Sequence, residues 1–157
     1  METRFDLFGS ELMNQFFRKL SGAAQVAADS DLPRAVQELV RLRASQINGC
    51  GFCTDMHTKD ALAAGEDQQR LHLVAAWREA TVFTDSERAA LALTEEGTRL
   101  ADANTGVSDE TWRDARKHYD DDQLAALITV IALINAWNRV NVVAATPAGD
   151  YQPGQFG

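Results

Sequence analysis

The chain is poor in cysteine and in positive charge, and each shortage excludes a class of protein. Two cysteines in 157 residues are too few for the disulfide framework of a small secreted domain. They stand three positions apart, as Cys50 and Cys53, so they read as a site and not as a scaffold. Fifteen Lys and Arg against 23 Asp and Glu leave a net charge of −8. That balance argues against nucleic acid or an anionic membrane as the main partner, since either needs clustered Lys and Arg. The first residues, Met1 to Asp6, hold no apolar signal core, and the cytoplasm is the expected location. The longest uncharged run, Gln123 to Asn138, has 16 residues and includes Thr129, Asn135 and Asn138. A membrane span needs about 20 mostly apolar residues, so the run reads as a core helix. Strand-like alternation, internal repeats, linkers and low-complexity tracts are missing as well.

What remains is helical. An apolar fraction of 45% is that of a globular chain. A domain of this length buries roughly two-thirds of its unfolded surface. Leu12, Phe16 and Leu20 share a face with Met13 and Phe17 beside them, which predicts a first helix over 10–28. Asp31 and Pro33 open a second, lined by Val36, Leu39, Val40 and Ile47 and ended by Asn48-Gly49. A third runs from about Cys50 to Ala64 and stops at Gly65. A short fourth covers 67–77. Thr84-Asp85-Ser86-Glu87 has the spacing of a capping box and starts a fifth helix reaching about Ala101. Ser108 caps a sixth over 109–119. The seventh, 121–144, is apolar almost all round, so other helices or a second subunit should enclose it. Pro147 closes it, and 146–157 reads as a loose tail. The expectation is one all-α domain over 1–157, a bundle of about seven helices.

The chemistry concentrates in Cys50-Gly51-Phe52-Cys53-Thr54-Asp55-Met56-His57. A thiolate forms near neutral pH at a helix N-terminus, beside a base or cation, or beside a second sulfur. This segment offers all three. Cys50 lies at a predicted helix start, where free backbone N–H groups favour negative charge. Cys53 is three residues on and His57 four beyond that, all on one face. A Cys50–Cys53 disulfide is geometrically easy, and the imidazole can exchange a proton with Cys53. Gly51 leaves the backbone free to adjust between the two forms. Such a pair in a cytosolic chain means thiol redox chemistry or metal binding. The β-sheet of a thioredoxin-like setting is not predicted, so the setting is a helical redox fold.

The run Arg43 to Ala61, centred on Asn48-Gly49-Cys50-Gly51-Phe52-Cys53-Thr54-Asp55-Met56-His57, resembles the core of the carboxymuconolactone decarboxylase superfamily in its alkylhydroperoxidase D-like branch. The likeness continues through Ala76-Trp77-Arg78-Glu79, Phe83 to Leu91 and Asn135-Ala136-Trp137-Asn138-Arg139, and covers about 10–145. It implies an all-α fold, usually as trimers or hexamers. It also implies a hydroperoxide substrate, an external thiol or dithiol reductant, and no metal, haem or flavin. By this resemblance Cys53 is the peroxide-attacking thiol, oxidised to a sulfenic acid, and Cys50 is the resolving thiol and proton donor. The family's redox members carry a glutamate twelve residues before the first cysteine, here Glu38. His57 and Glu38 then form a proton relay through a water.

Two departures bear on function. The best-known alkylhydroperoxidases have a histidine just before the second cysteine, where this chain has Phe52, so one proton-transfer group is missing. Lactone decarboxylase members generally lack the cysteine pair, which moves this chain away from decarboxylation. Beside peroxide reduction stand a redox-responsive adaptor with little turnover and a decarboxylase-type enzyme. Plainer readings also exist. The cysteines could be two buried thiols or part of a zinc site with His57, and Glu38 alone would be a solvated helix charge. His72 and His118 read as surface or packing residues, and Trp77, Trp112 and Trp137 as core or interface aromatics. Asp120-Asp121-Asp122 reads as an acidic helix start.

Overall fold

A computed structural model describes residues 2–102 and 106–156. Among the described residues the chain forms seven α-helices and no strand. They are α1 (Glu11–Ala28), α2 (Arg34–Ile47), α3 (Gly51–Ala63), α4 (Gln68–Leu73), α5 (Asp85–Thr98), α6 (Asp109–His118) and α7 (Asp121–Ala144). A short 3-10 turn, Val74–Ala76, continues α4, so the predicted helix 67–77 is a helix that tightens in its last turn. The all-α expectation is met, and each of the seven predicted helices is present.

Capping chemistry sets the boundaries. The Ser10 and Ser108 side chains accept the third backbone N–H of α1 and α6. Thr84 and Glu87 form the expected capping box on α5. Asp120 makes a second one with Gln123 on α7, which gives the acidic run its role. Pro33 precedes α2 as its N-cap. The seventh helix ends before Pro147, because Ala145 turns left-handed with φ 55°.

The middle of the bundle is α2, which packs against α3, α5 and α7. Two apolar clusters grow from two sides of it. Val36 and Val40 meet Ala90 and Leu93 of α5 and Leu127 and Val130 of α7. Leu39 and Leu42 meet Ala61 of α3, Leu71 of α4, Trp77 and Leu91. Enclosure on several sides buries every residue from Val36 to Val40, Gln37 and Glu38 included. Polar groups in such a place must find partners in the protein, and that demand shapes the site. The same rule is met at buried Glu95, which accepts from Arg43, Trp77 and Arg78 and ties α2 to α5.

Two apolar faces stay open, and one expectation needs correction. Leu12 and Phe16 are 73% and 38% exposed; α1 touches α7 through its neighbouring side, where Phe17 stacks on Trp137 at 5.1 Å. Helix α7 is long and apolar enough to cross a membrane, with a mean hydropathy of 1.5 over its most apolar stretch. In the bundle it packs one side on α1, α2, α3 and α5, as expected of a helix enclosed by others, and leaves Ile128, Val142 and Val143 exposed on the other. The tail is anchored, at least through Phe156. Tyr151 is 4% exposed, and its hydroxyl donates to the Asp60 carboxylate at 2.9 Å. Lys59 Nζ reaches the carbonyls of Gly149 and Tyr151, and Gly149 N–H donates to Asp55. Charged side chains on the outer face of α3 thus hold a segment whose own sequence carries no periodic signal. Gly157 lies outside the described residues.

Tyr151→Ala is therefore expected to lower unfolding stability by about 2–4 kcal/mol in urea denaturation. A change within about 0.5 kcal/mol, the usual effect of a surface residue, would mean that the tail is loose after all.

Candidate active site

Helices α2 and α3 are joined by a short turn, residues 48–50, that folds one back along the other. Asn48 caps α2 and Gly49 takes φ 64°, a left-handed conformation that glycine adopts without a steric penalty. Cys50 then serves as the N-cap of α3. Its Sγ accepts the backbone N–H of Cys53 at 3.4 Å, the role a serine or aspartate oxygen usually plays. The reversal sets the first turns of α3 against the middle of α2. Glu38 and His57, nineteen positions apart, meet there at 2.9 Å between Oε2 and Nδ1.

Both sulfurs are almost sealed, with Cys50 2% and Cys53 1% exposed. Ala44 of α2 and Ile134 of α7 pack on them, with Phe52 and Trp137 beside. The two thiols are unlinked. Their surroundings differ. A hydrogen bond from the Cys53 thiol brings Cys50 down from 9.0 to about 7, against the opposing effect of burial, and the Cys53 backbone N–H and Asn138 help. Cys53 is pushed up by the bond that holds its proton on Cys50, by burial and by repulsion from a Cys50 thiolate. Asn138 and Asn141 pull it the other way, and Asn141 Nδ2 stands 3.7 Å from its Sγ. Of the two sulfurs, Cys50 is therefore the one that ionises first, with the remaining proton shared towards it from Cys53. The resemblance gives attack to Cys53, so attack from that sulfur requires the proton to cross to its neighbour first.

Glu38 is buried and ionised. Burial alone would raise its carboxyl, but the hydrogen bond and charge of His57 and the guanidinium of Arg41 outweigh this and bring it from 4.5 to about 2. Arg41 Nη1 lies 2.6 Å from Oε1. Gln37 in turn accepts from Arg41 Nη2 at 3.0 Å and donates to the carbonyls of Ala27 and Leu32. The solvated-charge reading of Glu38 is thereby excluded. With Nδ1 committed to Glu38, Nε2 is the ring nitrogen left for proton exchange. Among the described residues no direct hydrogen bond joins His57 to a sulfur; the N–H groups in hydrogen-bond geometry to a sulfur are those of Cys53 and Asn141. Glu38 also lines a cleft of about 210 Å³ with Arg34, Ala61 and Glu66, so the far end of this chain of groups meets solvent.

Of the four residues singled out in the sequence, Glu38 and His57 touch each other, and Cys50 and Cys53 touch each other. All four sit where α2 and the start of α3 meet. His72 and His118 are exposed and stand apart from them. Among the described residues no three His, Cys, Asp or Glu side chains converge as metal ligands. Sequence reading missed a polar network behind the sulfurs. Asn48 Nδ2 donates to Asn135 and Asn138 at 3.0 and 2.9 Å, Asn138 donates to Ser45 at 3.0 Å, and Ser45 donates to the Arg41 carbonyl. Its signal was available: Asn135, Asn138 and Asn141 recur every three residues along an otherwise apolar helix.

Comparison with known proteins finds relatives of the same family and fold. Residues 11–96 match the model of the carboxymuconolactone decarboxylase family. The uncharacterised protein YdfG of Bacillus subtilis is 40% identical over 119 residues, 76% of this chain and 80% of that protein. The crystal structure of ATU0492 from Agrobacterium tumefaciens superposes with a TM-score of 0.88 at 31% identity, covering 96% of this chain and all of the other. ATU0492 is of unknown function and provisionally assigned as the antioxidant defence protein AhpD. The debrominase Bmp8, solved as a cysteine-to-alanine variant in complex with 2,3,4-tribromopyrrole, shares the fold alone, with a TM-score of 0.76 at 14% identity over 87% of this chain and 72% of Bmp8.

Two outcomes follow from the charges. Iodoacetamide alkylation of Cys50 in the reduced protein should rise with pH about a midpoint near 7; a midpoint near 9 would remove the shared proton. Glu38 is depressed on folding, so its contribution to stability is complete above 4.5 and is lost as pH falls towards 2. Glu38→Gln should lower stability at neutral pH and flatten that acid limb in urea titrations between pH 6 and 2.5. An acid limb identical to wild type would show that Glu38 is unpaired.

Proposed function

This chain belongs to the carboxymuconolactone decarboxylase family, and we propose that it is a thiol-dependent peroxidase that reduces organic hydroperoxides, with an antioxidant role in the cytoplasm. The observation that carries the reading is the contact between Glu38 and His57 one helical turn from the Cys50–Cys53 pair, whose first sulfur caps the helix start.

The reaction runs as follows. The shared proton crosses from Cys53 to Cys50, and the Cys53 thiolate attacks the outer oxygen of ROOH. The O–O bond breaks, Cys53 becomes the sulfenic acid, and the alkoxide takes the Cys50 proton to leave as ROH. The Cys50 thiolate then attacks the Cys53 sulfur. A disulfide forms, and hydroxide departs and is protonated through His57, with one water as carrier. Glu38 holds the ring by Nδ1 and stabilises the imidazolium that cycles there. An external thiol or dithiol reductant returns the pair by exchange. Neither nucleic acid nor membrane takes part, and the working form is a homo-oligomer, a trimer or hexamer, that covers the exposed apolar face of α7.

One observation favours a second reading. Sulfurs only 1–2% exposed suit a pair that oxidises slowly and changes a partner surface, and Phe52 in place of a proton-transfer group points the same way.

The decisive assay follows consumption of cumene hydroperoxide with dithiothreitol as reductant. Wild type should turn over. Cys53→Ser should be slower by on the order of 100-fold or more, and His57→Gln by about 100-fold. Equal, slow consumption by wild type and Cys53→Ser would end the peroxidase reading in favour of the adaptor. A decarboxylase-type enzyme would instead act on a lactone substrate and keep that activity when both cysteines are replaced.

A further inference from the structure

We propose that Asn141 is a further catalytic residue of this site, whose side-chain N–H donates to Cys53 Sγ and lets that sulfur carry the thiolate charge. The proposal rests on the reading of Cys53 as the attacking sulfur and adds the group that makes it one.

The argument starts from an asymmetry. Cys50 has a backbone donor at the start of α3, the N–H of Cys53. Cys53 lies inside the helix, and its sulfur is met from α7, the helix opposite. Asn141 is 7% exposed, and its Nδ2 lies 3.7 Å from Cys53 Sγ and 3.0 Å from the carbonyl oxygen of Trp137. The carbonyl fixes which way the amide faces. An amide oxygen turned towards a carbonyl oxygen would set two acceptors against each other, so the NH₂ group must lie on that side. One of its hydrogens is used by Trp137, and the other is left for the sulfur. A hydrogen bond to a thiolate is stronger than one to a thiol, so a donor there favours the ionised form.

The titratable groups facing Cys53 are few. Cys50 and His57 flank it on its own segment, and the Glu38–Arg41 pair from α2 stands behind His57. From α7 come only the neutral amides Asn138 and Asn141; Arg139 is turned to Asn135. Asn138 stands near both sulfurs and favours charge on either, its Nδ2 being held by Ser45, whereas Asn141 is the amide that donates to Cys53 alone. With it Cys53 gains a donor of its own to match the N–H at Cys50, and each sulfur can be the nucleophile in turn, Cys53 towards peroxide and Cys50 towards the sulfenic acid.

The test reads Cys53 by itself, in full-length protein carrying Cys50→Ser. The pH dependence of iodoacetamide alkylation, followed by intact mass, gives its midpoint. Adding Asn141→Leu should raise the midpoint by about one pH unit and slow alkylation at pH 7 about tenfold, the worth of one hydrogen bond to a charged group. Asn141→Asp, nearly the same shape, should raise it further. A purely structural amide would change the melting temperature and leave the midpoint in place, and an unchanged midpoint in either folded variant overturns the proposal. If neither variant folds, the side-chain ¹⁵N–H signals of Asn141 in the Cys50→Ser protein decide. They should shift as Cys53 titrates, and signals that ignore the titration overturn it equally. No peroxide enters these measurements. A shifted midpoint in a protein inert towards cumene hydroperoxide would keep this role and remove the peroxidase reading, and turnover with an unshifted midpoint would do the reverse.

Discussion

An ionised carboxylate enclosed by protein has to be answered by cations and donors, and this molecule is arranged around the answer given to Glu38. Enclosure of α2 by three helices leaves its middle dry. Arg41 from the same helix and His57 from α3 then close on the two carboxylate oxygens. Such a group is a poor source of net stability. Desolvation roughly cancels the attraction, while loss of one partner leaves a buried charge and costs about 3–5 kcal/mol. What it supplies is position. The contact fixes how α3 lies along α2, and with it the place of the helix start that holds both sulfurs.

Three helices divide the work at that point. The beginning of α3 supplies the sulfurs and the backbone N–H groups that favour charge on Cys50. Helix α2 supplies the carboxylate that orients the imidazole. Helix α7 supplies amides in an apolar surface, and these brace the α2–α3 turn through Asn48 and reach the second sulfur. A buried amide is costly unless every donor and acceptor is used. Ser45 and the Arg41 carbonyl extend the network, and among the described residues none of its buried side-chain nitrogens or oxygens is left without a partner, so the Glu38–His57 pair and the sulfurs share one hydrogen-bonded frame.

Helix positions were legible in the sequence because period and capping chemistry are local. Thr84 with Glu87 and Ser108 marked their helices correctly, and Asn48-Gly49 marked the turn that matters most. The cysteines and His57 were legible for the same reason, lying within eight residues of one helix. Glu38 was visible only through family spacing, since nothing local distinguishes a buried glutamate from a solvated one. Arg41, Ser45 and Asn141 were missed because their roles depend on which helices cross. The anchored tail was misread for a related reason. Phe16 and Tyr151 differ in burial through their neighbours in space, with Asp55, Lys59 and Asp60 deciding the second case.

The central claim is that two sulfurs and one held imidazole act as a single redox unit. Intact-mass analysis of the reduced protein after one equivalent of cumene hydroperoxide tests it most directly. The account predicts the loss of two hydrogens per chain, with Cys50 and Cys53 joined in one peptide after digestion and no cross-link between chains. Unchanged mass, or stable addition of oxygen to Cys53 with Cys50 still free, would contradict it.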